Sequence, residues 1–261
     1  MPSWQTLTLE GDGPVRRVWL NRPERRNALN GTALEEIAEV FAALQSDFEA
    51  RVVILGGRGA SFCGGADRKD PPGVARMASG SDATDRERRF VAQLGRRACA
   101  AILDLEIVTI ARVHGHAVGG GFALALACDF RIAAEGTVFH IPEVDLGIPL
   151  SWGATPRLIH EIGAARSREL ILLCDRIDAA TAERYGIAHR VVAGERLDES
   201  VDDWARRLAA KPEIAVHMTK SQFRAYAHSA VRGDVSEMDG DLLAASSRGA
   251  AARSSFTRRG E

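Results

Sequence analysis

The stretch VHGHAVGGGFALALACD, residues 113 to 129, sets three consecutive glycines, Gly119, Gly120 and Gly121, directly before an apolar run. A second glycine turn, Gly64-Gly65-Ala66-Asp67, stands earlier in SFCGGAD. Glycine lacks the Cβ that would hold a ligand away from the backbone. A helix opening at GGG also points unsatisfied amides and its positive dipole end outward. Two such turns, each following a buried strand, could hold a developing oxyanion between two N–H groups. Either cluster alone serves equally as a turn or a point of tight helix packing. His114 and His116, two residues apart after a strand, offer a different chemistry, that of a metal-dependent hydrolase. No further ligand cluster stands out beside them, and packing or hydrogen bonding is the alternative role.

Other chemistries lose their signatures. No GxGxxG, P-loop or GxSxG pattern occurs, which removes the usual marks of dinucleotide binding, nucleotide hydrolysis and the serine-hydrolase elbow. The 34 basic and 35 acidic residues leave a formal charge of −1. That balance supplies no field to attract nucleic acid or an anionic membrane, so neither is expected as a partner. Cys63, Cys99, Cys128 and Cys174 are widely spaced with no CxxC pair, as in a reducing cytoplasm. MPSWQTLTLEGDG has neither the basic nor the apolar region of a signal peptide, and no apolar run approaches the ~18 residues of a membrane span. A cytoplasmic location is the expectation.

The elements that must position these residues follow from periodicity. Thr6 to Glu10 and Val15 to Leu20 alternate around Gly11-Asp12-Gly13-Pro14 as a hairpin. From Thr32 as N-cap, Leu34, Ile37, Phe41, Leu44 and Phe48 share one helical face. Val52 to Leu55 reads as a buried strand. The polar stretch from Lys69 to Asp85 reads as a mobile loop, and an amphipathic helix then runs to about Leu103. Ile107 to Val113, Phe130 to Ala133, Val138 to Ile141 and His189 to Val192 read as strands, with the GGG helix after the first. Strands and helices thus alternate through two thirds of the chain, and the last ~65 residues read as helical.

LNRPERRNALN, SFCGGAD and VHGHAVGGGFALALACDFRIAAEGTVFHIPEVDLGIP occur in that order, and together they closely resemble the crotonase superfamily of enoyl-CoA hydratases and isomerases. The likeness runs from about residue 5 to about residue 195. It implies an α/β fold: a crotonase-like spiral of β-β-α units over residues 1–195 carrying an acyl-CoA site. A C-terminal helical region over 196–261 would build a homotrimer or a dimer of trimers. It implies that the thioester carbonyl lies between the amides of Ala66 and Gly120, where fixed donors stabilise the enolate without reorganising water. Arg25, Arg26 and Lys69 fall where the family holds the CoA phosphates, although solvated surface charge is an equal alternative. Gly64, Asp67, Phe122, His140 and Trp152 fall around the substrate; Phe122, His140 and Trp152 could equally be packing. No separate cofactor and no metal are implied, CoA being part of the substrate.

Of the two glutamates of the hydratase pattern, only the second is present. Glu143, in the Pro-Glu pair of HIPEVDLG, carries over as the catalytic acid/base, and the resemblance places it in an apolar pocket that would raise its pKa. Without the resemblance, an exposed or ion-paired glutamate is the plainer reading. The position of the first glutamate is Ala123, whose methyl group can neither hold nor polarise a water. EVD-x-G also resembles the dienoyl-CoA isomerases, but their other acids would fall at Ala123 and Ser151. One carboxylate suffices to move a proton between two carbons, so isomerisation is better supported than hydration. Hydration through a substitute water-positioning group and acyl-CoA binding without turnover are the alternatives.

Overall fold

A computed structural model describes residues 4–73, 82–230 and 238–241. Two sheets organise it. The larger has six strands in the order β1-β2-β3-β4-β6-β9: β1 (Leu7–Glu10), β2 (Val15–Leu20), β3 (Val52–Gly57), β4 (Val108–Val113), β6 (Phe130–Ala134) and β9 (Arg190–Val192). Only β1, hairpinned to β2 as its alternation predicts, runs antiparallel to its neighbour. The smaller sheet is β5-β7-β8: β5 (His116–Val118), β7 (Val138–His140) and β8 (Ile177–Asp178).

The chain advances as a spiral. Each turn lays one strand in the large sheet, then a short extended piece beside the small one, then a helix. Leu29 bridges Ala66, Cys63 bridges Ala117, and β5 pairs in parallel with β7, so successive turns stack on one another. The helices are α1 (Gly31–Leu44), α2 (Asp85–Ala92), α3 (Leu94–Asp104), α4 (Gly120–Ala127), α5 (Ala154–Leu173), α6 (Ala179–Tyr185), α7 (Leu197–Ala209) and α8 (Glu213–Ala230). β3 is buried along its whole length because both faces are covered, which is why it reads as an unbroken apolar run. On one side Val53, Leu55 and Ala111 join the core that also contains the buried faces of α1, α3 and α4. On the other, Val52, Ile54, Ile110 and Ile132 meet Leu197, Val201 and Ala205 of α7.

Several boundaries differ from the expected ones, each for a local reason. Asn30, not Thr32, caps α1, its side chain accepting the Ala33 N–H at 3.0 Å. That helix stops at Leu44, and Phe48 is 88% exposed beyond it. The amphipathic helix before β4 is two helices broken at Gln93; Thr84 begins the first with a reciprocal capping box to Glu87. β5 and β8 are too short to leave a period-two pattern and have no expected counterpart. Part of the expected mobile loop (74–81) and part of the helical tail (231–237 and 242–261) lie outside the described residues.

Candidate active site

The NRPERRN loop and the GGAD turn are tied together by main-chain bonds. Gly64 N–H donates to Arg26 O, Leu29 N–H to Gly65 O, and Asp67 N–H to Leu29 O, each at 2.8 Å. In a parallel bridge the residues on either side of the bridged one carry the hydrogen bonds, so the Ala66 N–H points the other way. It has no acceptor among the described residues. Gly65 sits at φ 91°, where a Cβ would stand 2.8 Å from Val118 O, so the turn requires glycine there.

Asp67 fixes this turn. Its carboxylate accepts the Arg22 guanidinium at 2.8 Å and the amides of Lys69 and Asp70 at 2.9 and 3.2 Å. Burial alone would push its carboxyl up, but those amide bonds and the Arg22 charge together hold it below the usual carboxylate value. Asn27, itself in the left-handed region, supports the same loop with side-chain amide bonds to Arg58 O and Ser61 O at 2.9 and 2.8 Å. Arg26 and Lys69 are exposed and Arg25 partly so, on a loop and a turn that these bonds join.

The second turn begins where β5 ends. Gly119 N–H donates to His140 O at 2.9 Å, and Gly119 adopts φ 51° before α4 starts at Gly120. The Gly120 N–H, at the first turn of the helix, also has no acceptor among the described residues. Glu143 leads into a short 3-10 turn, Val144–Leu146, closed by Gly147 in the left-handed region. Its Oε1 lies 2.7 Å from where a Cβ on Gly119 would stand, and its buried Oε2 has no hydrogen-bond partner. Burial pushes this carboxyl up to about 7, against a small opposing pull from its own backbone N–H. The site therefore sets two uncommitted amides on two tied turns, one of them beside a carboxyl able to exchange a proton near neutral pH.

The remaining candidates divide. Trp152 lies on the site: a Cβ on Gly120 would overlap its ring atoms Cη2 and Cζ3. Phe122 is buried edge-to-face on Phe139, with centroids 6.3 Å apart, and belongs to the core. The His140 ring bonds Cys174 O at 3.0 Å. Ala123 is 1% exposed, Asp145 is exposed and Ser151 half-buried. His114 bonds Gly59 O at 2.8 Å and Arg112 at 3.0 Å, whereas His116 bonds Ser61 at 3.0 Å. Among the described residues no three His, Cys, Asp or Glu side chains converge as a metal site. Cys63, packed against Gly121, is fully buried, and burial pushes its thiol up to about 12, so it is no nucleophile. Sequence reasoning missed Arg22 and Asn27: an arginine and an asparagine carry no signal until their partners from distant segments are known.

A ββα spiral with an uncommitted amide on each of two glycine turns, one of them beside a buried carboxyl, is a crotonase-class architecture. The chain belongs to the enoyl-CoA hydratase/isomerase family, whose model matches residues 10–258. It is 34% identical over 220 residues to a crotonyl-CoA hydratase of Syntrophomonas wolfei, covering 84% of this chain and 81% of that one. Among solved structures, an enoyl-CoA hydratase from Mycobacterium avium subsp. paratuberculosis K-10 superposes with a TM-score of 0.87 at 25% identity, covering 98% of this chain and 100% of that one. One from Bacillus anthracis superposes with a TM-score of 0.77 at 31% identity, covering 92% and 90%. The protein is thus an acyl-CoA enzyme of the hydratase/isomerase kind. No helix among the described residues is long and apolar enough to cross a membrane.

Proposed function

We propose that the protein shifts the double bond of an enoyl-CoA thioester, with Glu143 as the only acid/base group. The thioester oxygen accepts the Ala66 and Gly120 amides. The Glu143 carboxylate takes a proton from C2 of a 3-enoyl thioester, and the electron pair of that C–H bond delocalises onto the oxygen as a dienolate. The same carboxyl then returns the proton to C4, leaving the 2-enoyl thioester with no net change in atoms or charge. A carboxyl balanced near neutrality can perform both halves. Fixed amide donors, each worth ~10²- to 10³-fold in rate, stabilise the charge between them.

The observation that carries this reading is the pairing of a buried, unpartnered Glu143 oxygen with a buried methyl at Ala123. Hydration is the second reading, favoured by the crotonyl-CoA hydratase among the relatives, and it needs another group to hold the water. CoA enters as part of the substrate, with Arg25, Arg26 and Lys69 meeting its phosphates. The exposed Ile214, Met218, Phe223 and Tyr226 of α8 support assembly with further copies into a trimer or dimer of trimers, which native mass measurement tests. The deciding experiment incubates wild type and Glu143→Gln with 2-enoyl- and 3-enoyl-CoA and separates the products. Migration by wild type, lost in Glu143→Gln while acyl-CoA binding persists, is expected. Vigorous hydration by wild type would refute the one-glutamate isomerase, and full activity of Glu143→Gln would refute the mechanism.

A further inference from the structure

We propose that Trp152 is the specificity-determining residue that limits this site to short acyl chains. The inference rests on the acyl-CoA reading above and narrows its substrate class. The indole is slotted between two glycines from different helices. A Cβ on Gly95, at the second residue of α3, would overlap its Cε2, and a Cβ on Gly120 would overlap its Cη2 and Cζ3. Leu29 Cδ1 closes the same spot, 3.3 Å from the Gly120 Cβ position. Gly119 meets the Glu143 carboxylate and Gly120 meets the indole, so acid/base and ring flank consecutive residues. A thioester whose oxygen is held at the Gly120 amide, and whose reacting carbons face Glu143, sends the rest of its chain towards that ring. A chain of more than a few carbons requires the volume the indole fills.

The ring is a fixed wall. Trp152 holds φ 62°, a backbone region rare for so large a residue, and its neighbours are pinned on both sides. Arg157 donates to Trp152 O at 2.7 Å, Thr155 Oγ1 to Leu150 O at 3.1 Å, and Ala154 N–H to Ser151 O at 3.1 Å. The Gly153 N–H donates to Asp239 at 2.6 Å, which anchors the loop to a segment far along the chain. A wall so held discriminates by steric exclusion, because the backbone that would have to move is already committed.

The test measures kcat/KM along a series of enoyl-CoA thioesters from butenoyl to dodecenoyl, for wild type, Trp152→Phe and Trp152→Ala. Wild type should lose at least ~10-fold between butenoyl and decenoyl, and Trp152→Ala should raise the decenoyl-to-butenoyl ratio by ~10- to 100-fold, with Trp152→Phe between them. Equal use of both lengths by wild type, or a uniform fall across the series in Trp152→Ala, would overturn the proposal. Should Trp152→Ala fail to fold, the ratio in Trp152→Phe and Trp152→Leu decides. If no enoyl thioester is turned over, the acid/base reading fails separately, and calorimetric binding of saturated acyl-CoA esters decides the present one. Wild type must then bind butanoyl-CoA more tightly than decanoyl-CoA, with the order reversed in Trp152→Ala; any other order, or no binding at all, overturns it.

Discussion

The Glu143 Oε1 lies 2.7 Å from the point at which a side chain on Gly119 would begin, so the carboxyl and the glycine occupy one space between them. Gly119 also holds φ 51°, which an L side chain adopts only under strain. Gly119→Ala should therefore displace the carboxyl and the following Gly120 amide together. Turnover should fall ~10²-fold or more, since a misplacement of about 1 Å costs that much. Steady-state kinetics beside a thermal melt check this: a large loss in kcat with a small loss in Tm is the expected pattern.

Burial raises the Glu143 carboxyl from 4.5 to about 7, so its proton is retained in the folded state over a range where the unfolded chain has released it. The sign follows. The folded protein is favoured below the unfolded value, and that advantage is lost as pH rises through about 7. Glu143→Gln should thus stabilise the protein increasingly with pH, by ~3 kcal/mol above about pH 8 and by under ~1 kcal/mol near pH 5. Wild-type kcat/KM should rise with pH through the same range, because the base must be ionised to take the proton. Melts of both proteins, with a pH–rate profile of wild type, test the two limbs.

Restoring a carboxylate at position 123 meets a barrier the sequence hides. Ala123 is 1% exposed on α4, a helix whose residues from Gly121 to Ala127 are all buried. Ala123→Glu should lower stability by ~2 kcal/mol or more through overpacking and burial of a polar head. In the fraction that remains folded, the added carboxylate should move the product ratio from isomer towards 3-hydroxyacyl-CoA. Product analysis at a temperature well below the melt separates the two effects.

The Arg22–Asp67 pair, 2.8 Å apart with the Asp67 side chain 4% exposed, holds the turn that presents the Ala66 amide. Asp67→Ala should cost ~3 kcal/mol, because it strands a partly buried guanidinium and frees the Lys69 and Asp70 amides. Asp67→Asn should cost less, since its carbonyl still accepts from those amides. The Asp67 carboxyl is held below its usual value, so its contribution is present above that value and disappears on acidification through the folded one. Loss of kcat in parallel with loss of stability would identify Asp67 as a positioning residue.

Much of this was legible in the chain. Unbroken or alternating apolar runs located most strands, because a strand's faces are written at period two. GGAD, GGG and the Pro-Glu pair pointed to two amides and an acid only through their joint likeness to a known family, because each motif alone reads equally as a turn or a surface acid. The methyl at Ala123 could be read as the absence of a second carboxylate. Periodicity failed where a structural decision was not local. Nothing in DRERRFVAQLGRRACAAI marks a break at Gln93, and β5 and β8, with three and two residues, exist only because neighbouring turns of the spiral supply their partners.

The sequence by itself determined the class of fold and put forward Glu143, Ala66 and Gly120 through a family likeness, since motif types and spacings lie within single segments. Only the tertiary structure decided what those groups face. Asp67, grouped by its motif with the ligand, is occupied by Arg22 and two amides; Phe122 belongs to the core; and Glu143 keeps a buried oxygen without a partner. The Trp152 ring lies where it does because two glycines, 57 and 32 residues before it, leave it a slot. Side-chain burial and proton affinity depend on atoms contributed by segments far apart in sequence, and those atoms meet only once the spiral has closed.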